Sequence, residues 1–195
     1  MLSHSGNTDL ASIWIETERL FLRPPVRDDF DGWAALAEDA ETMRHLGGVQ
    51  TRPVAWRHFA FTVGSWHLQG FSGFSVIERA SGNWIGRVGP LQPVGWPGTE
   101  VGWTLARRYW GKGYAMEAAT AAIDWVCANL RWHEIIHCIG PENRSSIAVA
   151  TKLGSNPLRT ALLPAPYEGM AVDIWGQSRE QWLSRRAREK TRDND

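Results

Sequence analysis

The sequence predicts an α+β domain with an α/β-like crossover at its centre, a mixed, mostly antiparallel twisted sheet flanked by helices, and three observations carry this. Residues 71–79, 84–91 and 99–106 are β-like runs joined by short Gly- and Pro-containing connections, the pattern of an antiparallel meander. Residues 114–130 read as a helix between two β-like runs, a crossover that favours a parallel strand pair in right-handed sense. A last β-like pair, 158–163 and 170–175, flanks Pro164-Ala165-Pro166-Tyr167-Glu168-Gly169.

Composition bounds the function. The 195 residues make one domain's worth of chain, enough to bury a core without disulfides or metals. Residues 1–12 are expected as a flexible tail, 13–183 as the domain and 184–195 as a charged tail. Basic and acidic residues balance at 21 each, which argues against nucleic-acid and membrane-surface binding and for a small-molecule or peptide partner. No signal-like or membrane-spanning run is present, so a cytoplasmic protein is expected, monomeric or homodimeric. Cys127 and Cys138 are the only cysteines. Cys127, His133 and His137 lack a compact pair of ligand turns, so no metal site is expected.

In chain order, Pro24 and Pro25 end a first strand over 17–24. Asp28 or Asp29 is placed to cap a short helix through Ala37, with Phe30, Trp33, Ala34 and Ala37 at core spacing. The chain turns at 43–48. A second helix starts near Thr51 with Pro53 in its first turn, buries Val54, Phe59, Val63 and Trp66, and closes at Gly70. After the meander, the helix from Tyr114 has a small-residue face of Ala115, Ala118, Ala119, Ala122 and Val126, suited to lying close on a sheet. Residues 134–140 form the parallel strand, and Asn143 starts a helix that Gly154 stops. Residues 179–190 are a charged helix or a fraying tail.

The stretch 107–115, Arg107-Arg108-Tyr109-Trp110-Gly111-Lys112-Gly113-Tyr114-Ala115, sits at the strand-to-helix junction and reads as a phosphate cradle. Two glycines let the backbone turn and a ligand approach, the helix-head amides lack intrahelical acceptors, and Lys112 adds a cation. A glycine-rich turn alone is weak evidence. It is neither a P-loop nor a dinucleotide fingerprint, whose third glycine would fall at Met116.

Arg108-x-x-Gly111-x-Gly113 resembles the Q/R-x-x-G-x-G/A signature of the GNAT acyltransferase superfamily. Residues 17–182 look like its RimJ/RimL branch, through segment 16–23, His45-Leu46-Gly47-Gly48, Ile85-Gly86-Arg87, Glu100-Val101-Gly102-Trp103, and Asn143-Arg144-Ser145-Ser146 running to Lys152-Leu153-Gly154. Ser155-Asn156 departs from the family's usual aromatic, a difference expected to bear on packing alone. The resemblance implies a GNAT acyl-CoA N-acyltransferase fold whose central parallel strands splay, and an acetyl-CoA-dependent N-acetyltransferase that releases coenzyme A. It implies a pantetheine arm between the strands near Trp103 and Leu105, and a pyrophosphate on amides 108–113. Lys112 or Arg107 would assist at the phosphates, with Tyr114 and Ala115 at the helix head and Asn143 facing the arm. The thioester then lies near Glu100, about 16 Å along an extended strand from Leu105.

Glu100 is the candidate base, acting through a water, or else an ion-pair partner of a sheet arginine. Ser146 is a candidate proton donor or coenzyme contact, or else a first-turn serine answering the Asn143 cap. His45, Tyr167 and Glu168 are candidates for the acceptor pocket. The acceptor is a protein or peptide α-amine or a small amine. A non-catalytic acyl-CoA sensor and an aminoglycoside or other xenobiotic acetyltransferase stand as alternatives.

Overall fold

The molecule is organised by one eight-stranded sheet in the order β1-β2-β3-β4-β5-β6-β8-β7, seen in a computed structural model that describes residues 10–192. The strands are β1 (Ile15–Glu16), β2 (Leu20–Arg23), β3 (Phe74–Glu78), β4 (Trp84–Leu91), β5 (Glu100–Leu105), β6 (Glu134–Ile139), β7 (Asn156–Leu162) and β8 (Ala171–Ser178). The helices are α1 (Phe30–Glu38), α2 (Ala40–Met43), α3 (Arg52–Gln69), α4 (Tyr114–Asn129), α5 (Arg144–Lys152) and α6 (Arg179–Arg192).

β2 to β5 form the expected antiparallel run. A β-bulge at Ile85, between the pairs Ile77–Trp84 and Val76–Gly86, shifts the alternation of β4 and puts Ile85 and Val88 on one face and Trp84 on the other, each face with its own helical layer. Ile85 and Val88 lie in the main cluster with Ala118, Ala119, Ala122, Ile123 and Val126 of α4, while Trp84 packs with Phe30, Trp33, Ala34, Ala37, Ala55 and Phe59 of α1 and α3. The alanine face brings α4 close enough for this. α3 ends at Gly70 in the left-handed region, as expected of a helix-stopping glycine.

β5 and β6 run parallel but share one register pair, Glu100 with Ile136, and then part. β6 continues into β8, with β7 outside it. His137 of β6 spans the parting. Its Nδ1 lies 2.6 Å from the Val101 carbonyl, so it carries the proton and donates; the Ser155 hydroxyl, 3.0 Å from Nε2, then donates to the ring. Gln177 Nε2 in turn donates to Ser155 Oγ at 3.0 Å. Where an aromatic was expected to be missed only for its packing, Ser155 therefore completes a buried polar chain to the central strands.

Several expectations need correction. Residues 1–9 of the expected tail lie outside the described residues, while Leu10–Ser12 is a 3-10 turn whose Leu10 packs against the main cluster. The expected charged tail is helical through Arg192, leaving only 193–195 outside the described residues. Its helix docks because Trp182 is fully buried and donates from its indole to Asp124, which also pairs with Arg186 at 3.0 Å. Asp29 does not cap α1 with its side chain. Its carboxylate accepts from both terminal nitrogens of Arg23 at 2.7 Å, from the Val26 amide and from the Ser75 hydroxyl. The short strand β1 and the helix α2 were not expected, both being too short to show a period.

Burial depresses the His137 pKa from 6.5 to about 4. The stabilisation from the neutral ring is fully present above pH 6.5 and declines as pH falls toward 4, by roughly 3 kcal/mol across that window. His137→Gln, polar but not titrating there, is expected to lack this part of the pH dependence. Denaturant unfolding of both proteins between pH 7 and pH 4 measures it, and parallel stability curves would refute it.

Candidate active site

The loop between β5 and α4 takes its shape from two glycines, Gly111 at φ +72° and Gly113 at φ +80°. A β-carbon at Gly111 would meet nothing within 4 Å, so glycine is required there by backbone conformation and not by space. Gly113 is the N-cap of α4, and the Glu117 amide bonds back to its carbonyl at 3.1 Å. The amides of residues 114–116 precede the first intrahelical bond and, with the positive end of the helix dipole, present donors to an anion.

Arg19, from the opening segment, braces this loop. It bonds the Lys112 carbonyl at 2.9 Å and pairs with Glu117 at 2.7 Å, and Glu117 also accepts from the Thr17 hydroxyl. The Trp110 indole donates to the Leu105 carbonyl at 2.7 Å. That carbonyl, expected to meet the pantetheine arm, is thus already engaged inside the protein.

A cleft of about 530 Å³ begins at the loop, passes the parting of β5 and β6, and ends between the 45–48 turn and the Tyr167 loop. Of the residues singled out in the sequence, Glu100, Trp103, Leu105, Gly111, Gly113, Tyr114, Ala115, Asn143, Ser146, His45 and Tyr167 all line it. Arg107, Arg108, Lys112 and Glu168 do not. Residues Arg107–Tyr109 form a 3-10 turn that buries Tyr109, which sends Arg107 and Arg108 into a separate groove with Gly32, Leu36 and Asp39. The Lys112 ammonium lies 5.3 Å over the Tyr109 ring, and Glu168 is exposed.

Glu100 stands where the parallel strands meet, 6% exposed. Its carboxylate accepts from the Trp96 indole at 2.5 Å and from the Cys138 amide at 3.1 Å. Burial outweighs these bonds and pushes its pKa above the usual glutamate value. No ion pair ties it to a sheet arginine among the described residues, the alternative open from sequence. Asn143 caps α5 by accepting from the Ser146 amide at 3.1 Å, so Ser146 does answer the cap through its backbone, while its side chain is part of the cleft wall.

At the far end, Gly47 lies against the Tyr167 ring and Trp96 meets that ring edge-on, centroids 6.3 Å apart. Sequence reasoning gave no site role to Arg87, Trp33, Trp96, Thr42 or Ser72, which also line the cleft. Trp96 sits in a Pro/Gly loop, and its partner Glu100 lies only four residues on, so spacing held a faint signal. Arg87 was visible as a charge inside an otherwise apolar strand.

Comparison with known proteins agrees with this geometry. Residues 19–156 match the family model for the acetyltransferase (GNAT) domain. The uncharacterized N-acetyltransferase YnaD of Bacillus subtilis (strain 168) is 31% identical over 144 residues, 72% of this chain and 81% of that protein. The crystal structure of an acetyltransferase from Agrobacterium tumefaciens str. C58 superposes with a TM-score of 0.73 at 28% identity, covering 85% of this chain and 94% of that one. Spermidine N-acetyltransferase from Vibrio cholerae, solved with CoA and spermine, shares the fold at a TM-score of 0.68 and 18% identity, covering 86% and 99%. A glycine-shaped helix head, a parted pair of central strands and these matches together place the chain in the GNAT acetyltransferase family, whose members transfer an acetyl group from acetyl-CoA to an amine.

Proposed function

We propose that the protein is an acetyl-CoA-dependent N-acetyltransferase of RimJ/RimL type, acting on a protein or peptide α-amine or a small amine by direct aminolysis of the thioester. One observation carries this reading: the glycine-shaped loop, the gap between β5 and β6 and the buried Glu100 carboxylate open into one continuous cleft. The bracing of the loop by Arg19 supports the RimJ/RimL assignment, since that arginine belongs to the opening segment that carries the resemblance.

Bound acetyl-CoA supplies the acetyl thioester. The loop amides through residue 116 hold its pyrophosphate, and the parted edges of β5 and β6, with Trp103 and Asn143 on the walls, hold its arm. Glu100 takes the proton that the acceptor ammonium must lose, through a water. Ser146 would pass its proton to the departing sulfur as the C–S bond breaks and regain one from the nitrogen, which sheds its second proton on becoming the amide, so the acetyl group ends on nitrogen and coenzyme A leaves as the thiol. The raised pKa of Glu100 suits a base, because proton affinity near the working pH makes a carboxylate more effective than an exposed one.

Acetyl-CoA-dependent thiol release across peptides with varied first residues, amino acids, polyamines and aminoglycosides, with product mass, tests the reading. Silence on every amine despite tight acetyl-CoA binding would replace it with a sensor role. For the base, kcat/KM is expected to fall as pH drops through a limb above 4.5, since only the ionised carboxylate accepts a proton. Glu100→Gln should remove that limb and lower kcat by about 10²–10⁴-fold with acetyl-CoA affinity unchanged.

The loop is expected to matter more than the base. Positioning supplies effective molarities of about 10⁵ M or more, and valine at either Gly111 or Gly113 is strained at positive φ. Gly111→Val and Gly113→Val should each raise the acetyl-CoA Kd and reduce kcat/KM by more than Glu100→Gln does. Titration of acetyl-CoA binding alongside kinetics checks the order, and a larger loss in Glu100→Gln would reverse it.

A further inference from the structure

Arg87 occupies an unusual place for a guanidinium. It lies in β4, opposite Ser75 of β3 and Thr104 of β5, within the sheet and against the acceptor end of the cleft. Its guanidinium carbon stands 4.5 Å over the Trp33 ring. A ring face attracts the charge from above but offers nothing to the five N–H donors, which lie in the guanidinium plane. Among the described residues, no carboxylate pairs with Arg87 and no hydrogen bond from its guanidinium is formed.

The buried carboxylate nearest in the sheet network cannot serve it. Asp29 reaches Ser75, Arg87's neighbour across the strand, but already accepts from Arg23, the Val26 amide and the Ser75 hydroxyl. Glu100 lies four residues along β5 from Thr104, roughly 13 Å of strand, and favours the Arg87 charge without forming an ion pair with it. A half-buried guanidinium without an ion partner is costly, and an anion arriving in the cleft would relieve that cost.

Two further groups at this end await partners. Ser72 Oγ and Thr42 Oγ1 line the cleft, are buried with 1% and 7% exposure, and have no hydrogen-bond partner. The acceptor end therefore holds a forked cation, two unpartnered hydroxyls and, beyond them, the Glu100 carboxylate.

We infer that Arg87 binds a carboxylate of the acceptor, so that the acceptor is a primary amine that also carries a carboxylate, a free amino acid or the acidic first residue of a peptide, and not a polyamine. The inference rests on the amine acetylation proposed above for the same cleft. The amine lies toward Glu100 and the thioester, and the carboxylate meets the planar fork of Arg87, whose geometry matches it in bidentate fashion. Ser72 and Thr42 take the acceptor's remaining polar groups.

The test uses acceptors matched except at the carboxylate: amino acids against their amides, peptides beginning with Asp or Glu against those beginning with Asn or Gln, and spermidine. Each is measured with the wild type, Arg87→Gln and Arg87→Lys, by thiol release with KM and kcat separated and by calorimetric binding to the CoA-saturated protein. Carboxylate acceptors should be favoured roughly 10- to 100-fold over their amides, mostly through KM, as a charge-assisted bidentate contact implies. Arg87→Gln should level the pairs, and Arg87→Lys should restore part of the preference. Free amino acids or acidic peptides as the better series identifies the source.

Equal use of amide and carboxylate by the wild type, preference for spermidine, or an equal loss on both members of each pair in Arg87→Gln would overturn the inference. Carboxylate-dependent binding that Arg87→Gln abolishes, without turnover of any amine, would keep the anion site and refute acetyl transfer instead. Should Arg87→Gln fail to bind CoA and so prove misfolded, the matched pairs on the wild type decide.

Discussion

The parting of β5 and β6 is the constraint on which the rest of the structure depends. Two parallel strands in mid-sheet that pair at a single register position leave backbone donors and acceptors without a ladder, and such groups must be satisfied by something else. The protein answers with side chains. His137 donates to the Val101 carbonyl, the Trp110 indole donates to the Leu105 carbonyl, and Glu100 accepts from the Cys138 amide at the apex of the fork. These contacts wedge the strands apart instead of closing them, and leave an opening that an extended ligand with amides of its own would fit.

The same geometry explains the electrostatics at the apex, where Glu100 sits. A carboxylate at the last point of contact between two strands is walled by backbone and by Trp96, so it loses water while keeping two directed donors. Burial raises its affinity for a proton and the donors limit how far. Arg87 is pushed the other way, toward neutrality, by the same loss of solvent, while Glu100 and Tyr167 favour its charge. Opposite charges thus stand along one cleft, each favouring the other's charged form without closing into an ion pair.

What the sequence revealed follows the range of the physics involved. The phosphate loop was legible because φ preference and helix-head chemistry are local, and Gly111 and Gly113 take the positive φ that their identity allows. The alanine face of α4, the strands β4 and β5 and the stop at Gly70 were legible for the same reason, since period and punctuation lie within one element. Glu100 and Asn143 came from resemblance and fell on the cleft wall. Arg107 and Arg108 line a separate groove because a three-residue turn, set by the burial of Tyr109, decides where they go, and no local pattern shows that turn. The His137–Ser155–Gln177 chain, the docking of α6 through Trp182 and Asp124, and the isolation of Arg87 join residues far apart in sequence, where neither period nor local propensity carries a signal.

The two halves of the cleft are built from different materials, and this bears on how one family serves many acceptors. The half proposed to hold the coenzyme is largely backbone: helix-head amides, a left-handed turn and strand edges, which tolerate sequence change so long as the glycines remain. The acceptor half is made of side chains on unrelated elements, Trp33 from α1, Thr42 from α2, Arg87 from β4 and Tyr167 from the β7–β8 loop. Substitution there alters charge and shape without disturbing the parted strands, so donor chemistry is held by the fold while acceptor choice is free to change. On the inference drawn above, Arg87, which has no ion-pair partner among the described residues, is where this chain's acceptor preference would be written.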